Sequence, residues 1–453
     1  MRYHSTRGGS GSVGFAAAAL EGLAPDGGLF VPEELPRYRA AVAASLASMD
    51  FCDVAFETVR PFVGGDVPDA ALQDIVRSAF VFGAPLVAVG ERPVAELFHG
   101  PTAAFKDFGA RFMARVFSWL RRGEDRPLNI LVATSGDTGG AVAEGFFGVP
   151  GISVTVLYPA GRVSPLQERQ IAGLGGNVRA LAVRGSFDDC QRMVKAALAD
   201  AGLRRRAALS SANSINIARL VPQAAYHAAV AAKAFAGIAD ADLPATPRVP
   251  GVTGGAAGFA AGRPVTLCVP SGNFGNLTAG LYAMGMGAPV AGFVAATNAN
   301  RTVPDYLASG EYRAAASLRT LSTAMDVGDP SNFERMTAHF SLERLRRVVT
   351  AVSVGDGETG ETISRVRREA GYFLDPHSAV GWNALDVLTV RPAGGLAGGF
   401  AVLLSTAHPA KFGEVVTPLA GPPPEPPSLS EAMRRTPEAT EVEADLSVLG
   451  ELL

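Results

Sequence analysis

Short apolar runs recur along the central part of the chain, and each of the early ones is followed by a segment with helical spacing of apolar residues. The runs predict β-strands at 128–134, 152–158, 178–183, 265–269, 290–296 and 400–405. The segments between the first of them predict helices at 140–147, 165–174 and 187–203. Alternating strands and helices are typical of βαβ units around a parallel sheet. Because the alternation breaks off and resumes, we expect two interleaved α/β units.

The segments around this region predict further parts of the molecule. Helical spacing at 38–49 and 69–82 predicts a separate, mostly helical N-terminal domain over residues 1–97. The α/β region then covers 98–419, with a smaller unit of about 107–225 nested in the larger one. A Pro-, Gly- and Ala-rich stretch of about 238–263 predicts a flexible insertion. The Pro-rich and then acidic residues 420–453 predict a surface extension whose last residues can dock on the core.

Composition and charge exclude several classes of protein. Of the 453 residues, 48% are hydrophobic and 18% charged, which excludes wholesale disorder. The 40 basic and 43 acidic residues leave no basic excess, so no nucleic-acid partner is expected. Cys52, Cys190 and Cys268 are far apart in sequence. They exclude a disulfide scaffold and offer no zinc spacing, so no metal site is expected.

Two observations bear on the location of the protein. The N-terminal sequence MRYHSTRGGSGSVG lacks the apolar core of a secretory signal. The uncharged stretch from Pro264 to Asn300 is interrupted by proline, glycine and asparagine, so no apolar run of about 20 residues is left to cross a membrane. We therefore expect no membrane partner and a cytoplasmic location, and leave open whether the protein is a monomer or a homodimer.

Lys106 is a candidate for chemistry that uses an amine. The chain has only four lysines, and this one lies between Phe105 and Phe108 with alanines nearby. Apolar surroundings destabilise the charged form of a lysine and lower its pKa. A neutral amine is the form that makes a Schiff base with an aldehyde.

Two glycine-rich loops predict sites for anions. ATSGDTGG (133–140) and PSGNFGN (270–276) each follow a predicted strand and precede a helix. Bare backbone N–H groups at such a position bind anions, and glycine allows a ligand to approach closely. Taken singly, each loop is also typical of an ordinary strand-to-helix turn. Together with one sheltered lysine, the loops match pyridoxal 5'-phosphate carrying an amino acid, which presents a phosphate, a carboxylate and an aldehyde carbon.

Long motifs along the chain carry a family resemblance. In order they are YHSTRG, GLAPDGGLFVPE, ELFHGPTAAFKD, ATSGDTG, GRVSPLQERQ, GSFDDCQRMVK, NSINIARL, PSGNFGN, LSTAMDVGDPSNFER, DPHSAVG and STAHPAKF. With these motifs the sequence resembles the threonine synthase family, in its long-chain branch with an extra N-terminal domain. The resemblance implies the α/β fold of the fold-type II pyridoxal-phosphate enzymes, similar to the tryptophan synthase β chain.

The resemblance also implies roles for particular residues. Lys106 becomes the Schiff-base lysine and proton shuttle, and Thr406 faces the pyridine nitrogen of the cofactor. The cofactor phosphate is expected at Gly272, Asn273, Phe274, Gly275 and Asn276. The substrate carboxylate is expected at Ser135, Gly136, Asp137, Thr138 and Gly139. Lys411 is a candidate for the substrate phosphate, with a surface lysine as an equally weighted alternative.

The reaction implied is the conversion of O-phospho-L-homoserine and water to L-threonine and phosphate, by γ-elimination and then addition of water at Cβ. This makes the protein a carbon–oxygen lyase of amino-acid biosynthesis with a small-molecule substrate. Fold and cofactor leave two alternatives open. One is a related lyase, either a hydroxy-amino-acid dehydratase or a pathway-specific enzyme on a phosphorylated analogue. The other is a non-catalytic descendant.

Overall fold

A computed structural model describes residues 1–240, 261–389 and 400–452 of the chain. Most of the predicted insertion at 238–263 therefore lies outside the described residues.

The six predicted strands are present with ends within one residue of the predicted ones, and the described residues contain seven further, shorter strands. In chain order they are β1 Tyr3–Ser5, β2 Phe30–Pro32, β3 Leu86–Val89, β4 Arg92–Glu96, β5 Leu128–Ala133, β6 Ile152–Pro159, β7 Val178–Arg184, β8 Leu209–Ser211, β9 Val265–Pro270, β10 Val290–Thr297, β11 Val349–Ser353, β12 Phe400–Ser405 and β13 Thr440–Glu443.

The helices occupy most of the chain between them. They are α1 Phe15–Glu21, α2 Ala40–Ser45, α3 Phe51–Val63, α4 Asp69–Ala79, α5 Lys106–Leu120, α6 Asp137–Phe146, α7 Pro165–Ala172, α8 Phe187–Ala199, α9 Ala201–Ala207, α10 Ile217–Leu220, α11 Gln223–Ala236, α12 Gly275–Met286, α13 Thr302–Ser309, α14 Asn332–His339, α15 Leu342–Val348, α16 Asp356–Ala370, α17 Pro376–Thr389, α18 Gly413–Ala420, α19 Pro427–Met433 and α20 Leu446–Leu452.

The larger sheet has the strand order β11-β10-β9-β12-β4-β3 within the described residues. Its neighbours pair in parallel except for the antiparallel hairpin of β3 and β4. The sequence between β4 and β9 leaves this sheet and builds four strands of the smaller one. Within the larger sheet, β12 lies between β9 and β4 and pairs with both. The predicted interleaving of two α/β units and the predicted fold class are confirmed.

The smaller sheet is parallel throughout the described residues, with the order β13-β7-β6-β5-β8. The strand at one edge of this sheet, β13, comes from the C-terminal segment that the sequence predicts as a surface extension. Val442 and Leu449 of that segment are buried against the smaller unit. The sequence does not indicate this strand pairing, because a charged, exposed edge strand lacks the apolar run by which buried strands are found.

The N-terminal part combines helices α1–α4 with the short antiparallel pair of β1 and β2. Strands β3 and β4 precede the predicted boundary at residue 97 yet belong to the larger sheet, where β4 pairs with β12. We propose that the N-terminal domain ends before Leu86. A second departure is local: the predicted helix 187–203 is interrupted at Asp200, whose side chain accepts a hydrogen bond from the amide of Leu203 and caps a new helix.

Candidate active site

Lys106 is the first residue of α5, and its side chain is 15% exposed in a cavity of about 1250 Å³. Its ammonium lies 4.9 Å from the ring centre of Phe105. Burial lowers the pKa of Lys106, and the nearby Asp137 carboxylate offsets only part of that effect. The position therefore favours the neutral amine more than an exposed site would.

Asp137, the first residue of α6, has an ion pair with each of two lysines. Its Oδ2 lies 3.4 Å from Lys106 Nζ, and its Oδ1 lies 2.9 Å from Lys411 Nζ. Gln167 Nε2 also donates to Oδ1 at 3.2 Å. Burial alone would raise the pKa of Asp137, but the two ammonium groups lower it below its ordinary value. The carboxylate is thus ionised inside the site.

Lys411 lies in the cavity wall and its side chain has no solvent exposure, so it is not a surface lysine. Besides Asp137, it donates to the backbone oxygen of Thr102 at 2.7 Å. An ammonium group has three N–H donors, so one remains beyond these two contacts.

The loop before α6 uses part of its backbone internally. The hydroxyl of Thr134 accepts hydrogen bonds from the amides of Gly136 at 2.9 Å and Gly139 at 2.8 Å. Gly136 has φ +142°, and a Cβ there would lie 2.4 Å from the Gln167 side chain, so this position requires glycine. The amides of Ser135, Asp137 and Thr138 have no acceptor among the described residues. An anion at this loop would be bound by these three amides.

The loop between β9 and α12 forms a second cradle of backbone donors. The amides from Gly272 to Leu277 have no acceptor within the part of the chain that the structure describes. Phe274 adopts a left-handed conformation with φ 59°, which turns successive amides toward one point. A Cβ at Gly272 would lie 2.6 Å from Met325 Cα, so only glycine lets the backbone lie this close.

The two asparagines of this loop have side chains in different surroundings. Asn273 Nδ2 donates to Ser214 Oγ at 2.7 Å, and Asn273 Oδ1 accepts from the amide of Ser331 at 2.6 Å. Asn276 Oδ1 accepts from Tyr226 at 2.7 Å, while its buried Nδ2 has no partner among the described residues. The side chain of Asn273 thus braces the loop, and Asn276 keeps a free donor.

Thr406 follows the last residue of β12 and is buried. Its backbone oxygen accepts from the amide of Phe105, which links this strand end to the residue before Lys106. Its hydroxyl has no partner among the described residues and lines the same cavity. The strand end therefore offers a free hydroxyl to a ligand beside the lysine.

The cavity brings together the predicted residues Lys106, Thr406 and Lys411 with both glycine-rich loops. These groups fit pyridoxal 5'-phosphate: a sheltered amine for the aldehyde, a glycine-dependent cradle of amides for the phosphate, and a free hydroxyl for the ring. The unsatisfied Nδ2 of Asn276 is a further donor that awaits an acceptor. No cluster of potential metal ligands occurs among the described residues, and none of their helices is long and apolar enough to cross a membrane.

Several residues of the site lie in motifs whose individual roles the sequence does not indicate. Gln167 completes the capping box of α7 with the N-cap residue Ser164 and contacts Asp137, and Ser214 lies beside the loop at Asn273. Arg335 is fully buried and donates to the backbone oxygens of Phe30 and Ile215. Polar residues in a motif indicate importance, but only the tertiary contacts tell which of them face the ligand.

Comparison with known proteins identifies the family. Three family models match along the chain: threonine synthase N terminus over residues 2–80, pyridoxal-phosphate-dependent enzyme over 95–406, and threonine synthase C-terminal over 378–452. The threonine synthase of Escherichia coli (strain K12) is 40% identical over 423 residues, covering 93% of this chain and 91% of that protein. The chain belongs to the threonine synthase family. It is a pyridoxal-phosphate-dependent enzyme, and the predicted threonine synthase function and cofactor are confirmed.

A yeast protein is also among the relatives, and solved structures of threonine synthases are similar to this chain along its length. The threonine synthase of Saccharomyces cerevisiae is 33% identical over 91% of this chain and 88% of its own length. A crystal structure of threonine synthase from E. coli covers 100% of this chain and 99% of that chain, with a TM-score of 0.86 and 38% identity. A pyridoxal-phosphate-bound threonine synthase from Brucella melitensis also has a TM-score of 0.86, at 35% identity, and covers 100% of this chain and 98% of its own. A tomato threonine deaminase, at 15% identity and TM-score 0.53, shares the fold alone.

Proposed function

We propose that this enzyme converts O-phospho-L-homoserine and water to L-threonine and phosphate. The observation that carries the proposal is the convergence of Lys106, two cradles of free backbone amides and a second, buried lysine on one cavity. A substrate with a carboxylate at one end and a phosphate at the other needs two such anion sites besides the site for the cofactor phosphate.

Each anion of the substrate has a candidate site. We place the substrate carboxylate on the amides of Ser135, Asp137 and Thr138, because the amides of Gly136 and Gly139 are already bonded to Thr134. The carboxylate of Asp137 cannot itself receive the substrate carboxylate, since both are negative. The third N–H of Lys411 is the proposed donor to the substrate phosphate.

The cofactor is proposed to lie between Lys106 and Thr406, with its phosphate on the amides of Gly272 to Asn276. When bound, it supplies the electron sink for the removal of protons from substrate carbons. The Thr406 hydroxyl would face the ring nitrogen and, unlike a carboxylate, would not hold a proton there. Proton transfers by a positioned base then matter more.

Lys106 Nζ is the proposed base. It would remove the proton from Cα of the substrate and return protons later, because its lowered pKa keeps a fraction of the amine neutral. Whenever the Lys106 amine is protonated, the Asp137 carboxylate would hold it in place through the contact of Oδ2 with Nζ at 3.4 Å. Water must be excluded until the phosphate has left and must then reach Cβ.

We propose a cytoplasmic location, which is supported by three cysteines that form no disulfide.

The purified enzyme should release threonine and phosphate in equal amounts from O-phospho-L-homoserine. It should form little 2-oxoacid from threonine, which is the product expected of a dehydratase. Oxoacid from threonine without phosphate release would favour the dehydratase instead, and absence of both activities with bound cofactor would contradict both enzymes.

A further inference from the structure

Ser214, in the loop between β8 and α10, lies in the cavity wall beside the proposed phosphate cradle. Two amide side chains donate to its hydroxyl oxygen: Asn273 Nδ2 at 2.7 Å and Asn332 Nδ2 at 3.3 Å. The Cβ of Ser214 lies 3.7 Å from the position that a Cβ at Gly275 would occupy, so Ser214 lies directly against the start of α12.

The orientation of both amides is fixed by groups that can only donate. Asn273 Oδ1 accepts from the backbone N–H of Ser331 at 2.6 Å. Asn332 Oδ1 accepts from the guanidinium of Arg335 at 2.7 Å. An amide oxygen held by such a donor leaves the nitrogen on the other side. Both Nδ2 groups therefore point at Ser214.

A serine hydroxyl has two lone pairs and one hydrogen. Since both lone pairs of Ser214 Oγ are taken by amide donors, its hydrogen is the only capacity left, and the hydroxyl must act as a donor. No acceptor for it occurs among the described residues. The neighbouring backbone N–H groups from Gly272 to Leu277 are donors as well, so the hydrogen lacks a partner within the part of the chain that the structure describes.

We propose that the hydroxyl of Ser214 donates a hydrogen bond to the phosphate of the bound cofactor, with Asn273, Asn332 and Arg335 as positioning residues that force it to be a donor. The inference rests on the proposed placement of that phosphate at the start of α12. Arg335 also binds the backbone oxygen of Phe30, so the N-terminal domain takes part in holding this donor.

The test is a comparison of two ligands that differ only in the phosphate. Apo-enzyme is titrated with pyridoxal 5'-phosphate and with pyridoxal, and binding is followed by cofactor absorbance. Ser214→Ala should weaken pyridoxal 5'-phosphate binding about tenfold, the size typical of a hydrogen bond to a charged group. Pyridoxal binding should stay as in the wild type. Ser210→Ala is the matched control, because its hydroxyl is buried without a partner in β8 and lies outside the cavity lining.

A second variant tests the direction of the hydrogen bonds between Asn332 and Ser214. In Asn332→Asp an oxygen replaces the donor, so the Ser214 hydrogen can turn to the new carboxylate, and the preference for the phosphorylated ligand should fall. Unchanged preference in Ser214→Ala, or equal weakening of both ligands, would overturn the role of Ser214. A wild-type enzyme without preference for the phosphorylated ligand would instead overturn the placement of the phosphate itself.

Discussion

At the scale of single residues, the site depends on charges held away from water. Asp137 and Lys411 are fully buried partners, and their side chains are 2% and 0% exposed. Removing one member of a buried pair leaves an uncompensated charge, which is far more costly than losing an exposed pair. The pair also links α6 of the smaller unit to the segment after β12 of the larger one.

Lys411→Met should therefore destabilise the protein by about 3 kcal/mol, measured by urea unfolding. The double variant Asp137→Asn with Lys411→Met should lose less than the sum of the two single changes, because it removes the buried Asp137–Lys411 pair as a whole, and the loss of the Lys106 contact is common to the single and the double Asp137 variants. Lys233→Met is a suitable control, since its ion pair with Asp240 is partly exposed and should contribute about 1 kcal/mol or less. Additive losses in the double variant would contradict the coupling.

Buried histidine gives the protein an acid-sensitive stability. Burial lowers the pKa of His227 from 6.5 to about 4, although Asn276 hydrogen-bonds to the ring. Because the unfolded chain binds the proton first, this contribution is complete above pH 6.5 and is lost as the pH falls toward 4. His227→Gln should remove on the order of 3 kcal/mol of that pH dependence, measured by unfolding at pH 7 and pH 4.5. A variant with the wild-type pH slope would show that His227 is not its source.

Asp107 gives a pH dependence of the free energy of unfolding with the opposite sign, so the measured pH dependence is the sum of the His227 and Asp107 contributions. Burial raises the pKa of its carboxyl to about 6 in spite of two hydrogen bonds from Thr102. Its contribution is therefore greatest below about pH 4 and is lost as the pH rises to 6.

Among the elements, the two glycine-rich loops that line the cavity are junctions where a parallel strand passes into a helix. The carboxyl ends of β5, β9 and β12 lead to Asp137, Gly275 and Thr406 respectively. In sheets of this class, ligands bind at the carboxyl ends of strands. The sequence predicts this arrangement well, because apolar strands followed by glycine-rich turns are a strong local pattern.

Gly272 shows how closely one loop is packed. Gly272→Ala places a methyl group 2.6 Å from Met325 Cα, so the loop must move away from the geometry proposed to bind the cofactor phosphate. We expect at least a tenfold loss of pyridoxal 5'-phosphate affinity, measured by titration of apo-enzyme. Gly357→Ala is the control, because Gly357 is exposed near the start of its helix, nothing lies within 4 Å of a Cβ there, and alanine should stabilise the helix slightly. Equal affinity in the two variants would contradict the cradle.

At the scale of the whole molecule, the parts that the sequence predicts least well are those set by contacts between distant segments. The strand at 440–443 has two charged residues and is exposed at three of its four positions, so its pairing with β7 cannot be deduced from apolar periodicity. The hydrogen bonds among Ser214, Asn273 and Asn332 join residues up to 118 positions apart. By contrast, the strand Phe400–Ser405 matches its sequence prediction at both ends.

Removal of residues 440–453 should expose β7 as a new edge of the smaller sheet. The backbone amides of β7 should then exchange hydrogen faster than in the full chain. Arg184→Ala is the milder comparison: it removes only exposed ion pairs to Glu441 and Glu443 and should change the free energy of unfolding by less than about 1 kcal/mol. Unchanged exchange in the truncated chain would show that the C-terminal strand does not protect the sheet.

The site of covalent attachment shows whether the sheltered amine of Lys106 holds the cofactor in this cavity. Borohydride reduction fixes the cofactor to its lysine, and peptide mass spectrometry then locates it among the four lysines of the chain. We expect label on Lys106 alone and none in Lys106→Ala. Label on Lys411, Lys195 or Lys233 in the wild type, or no label at all, would contradict it.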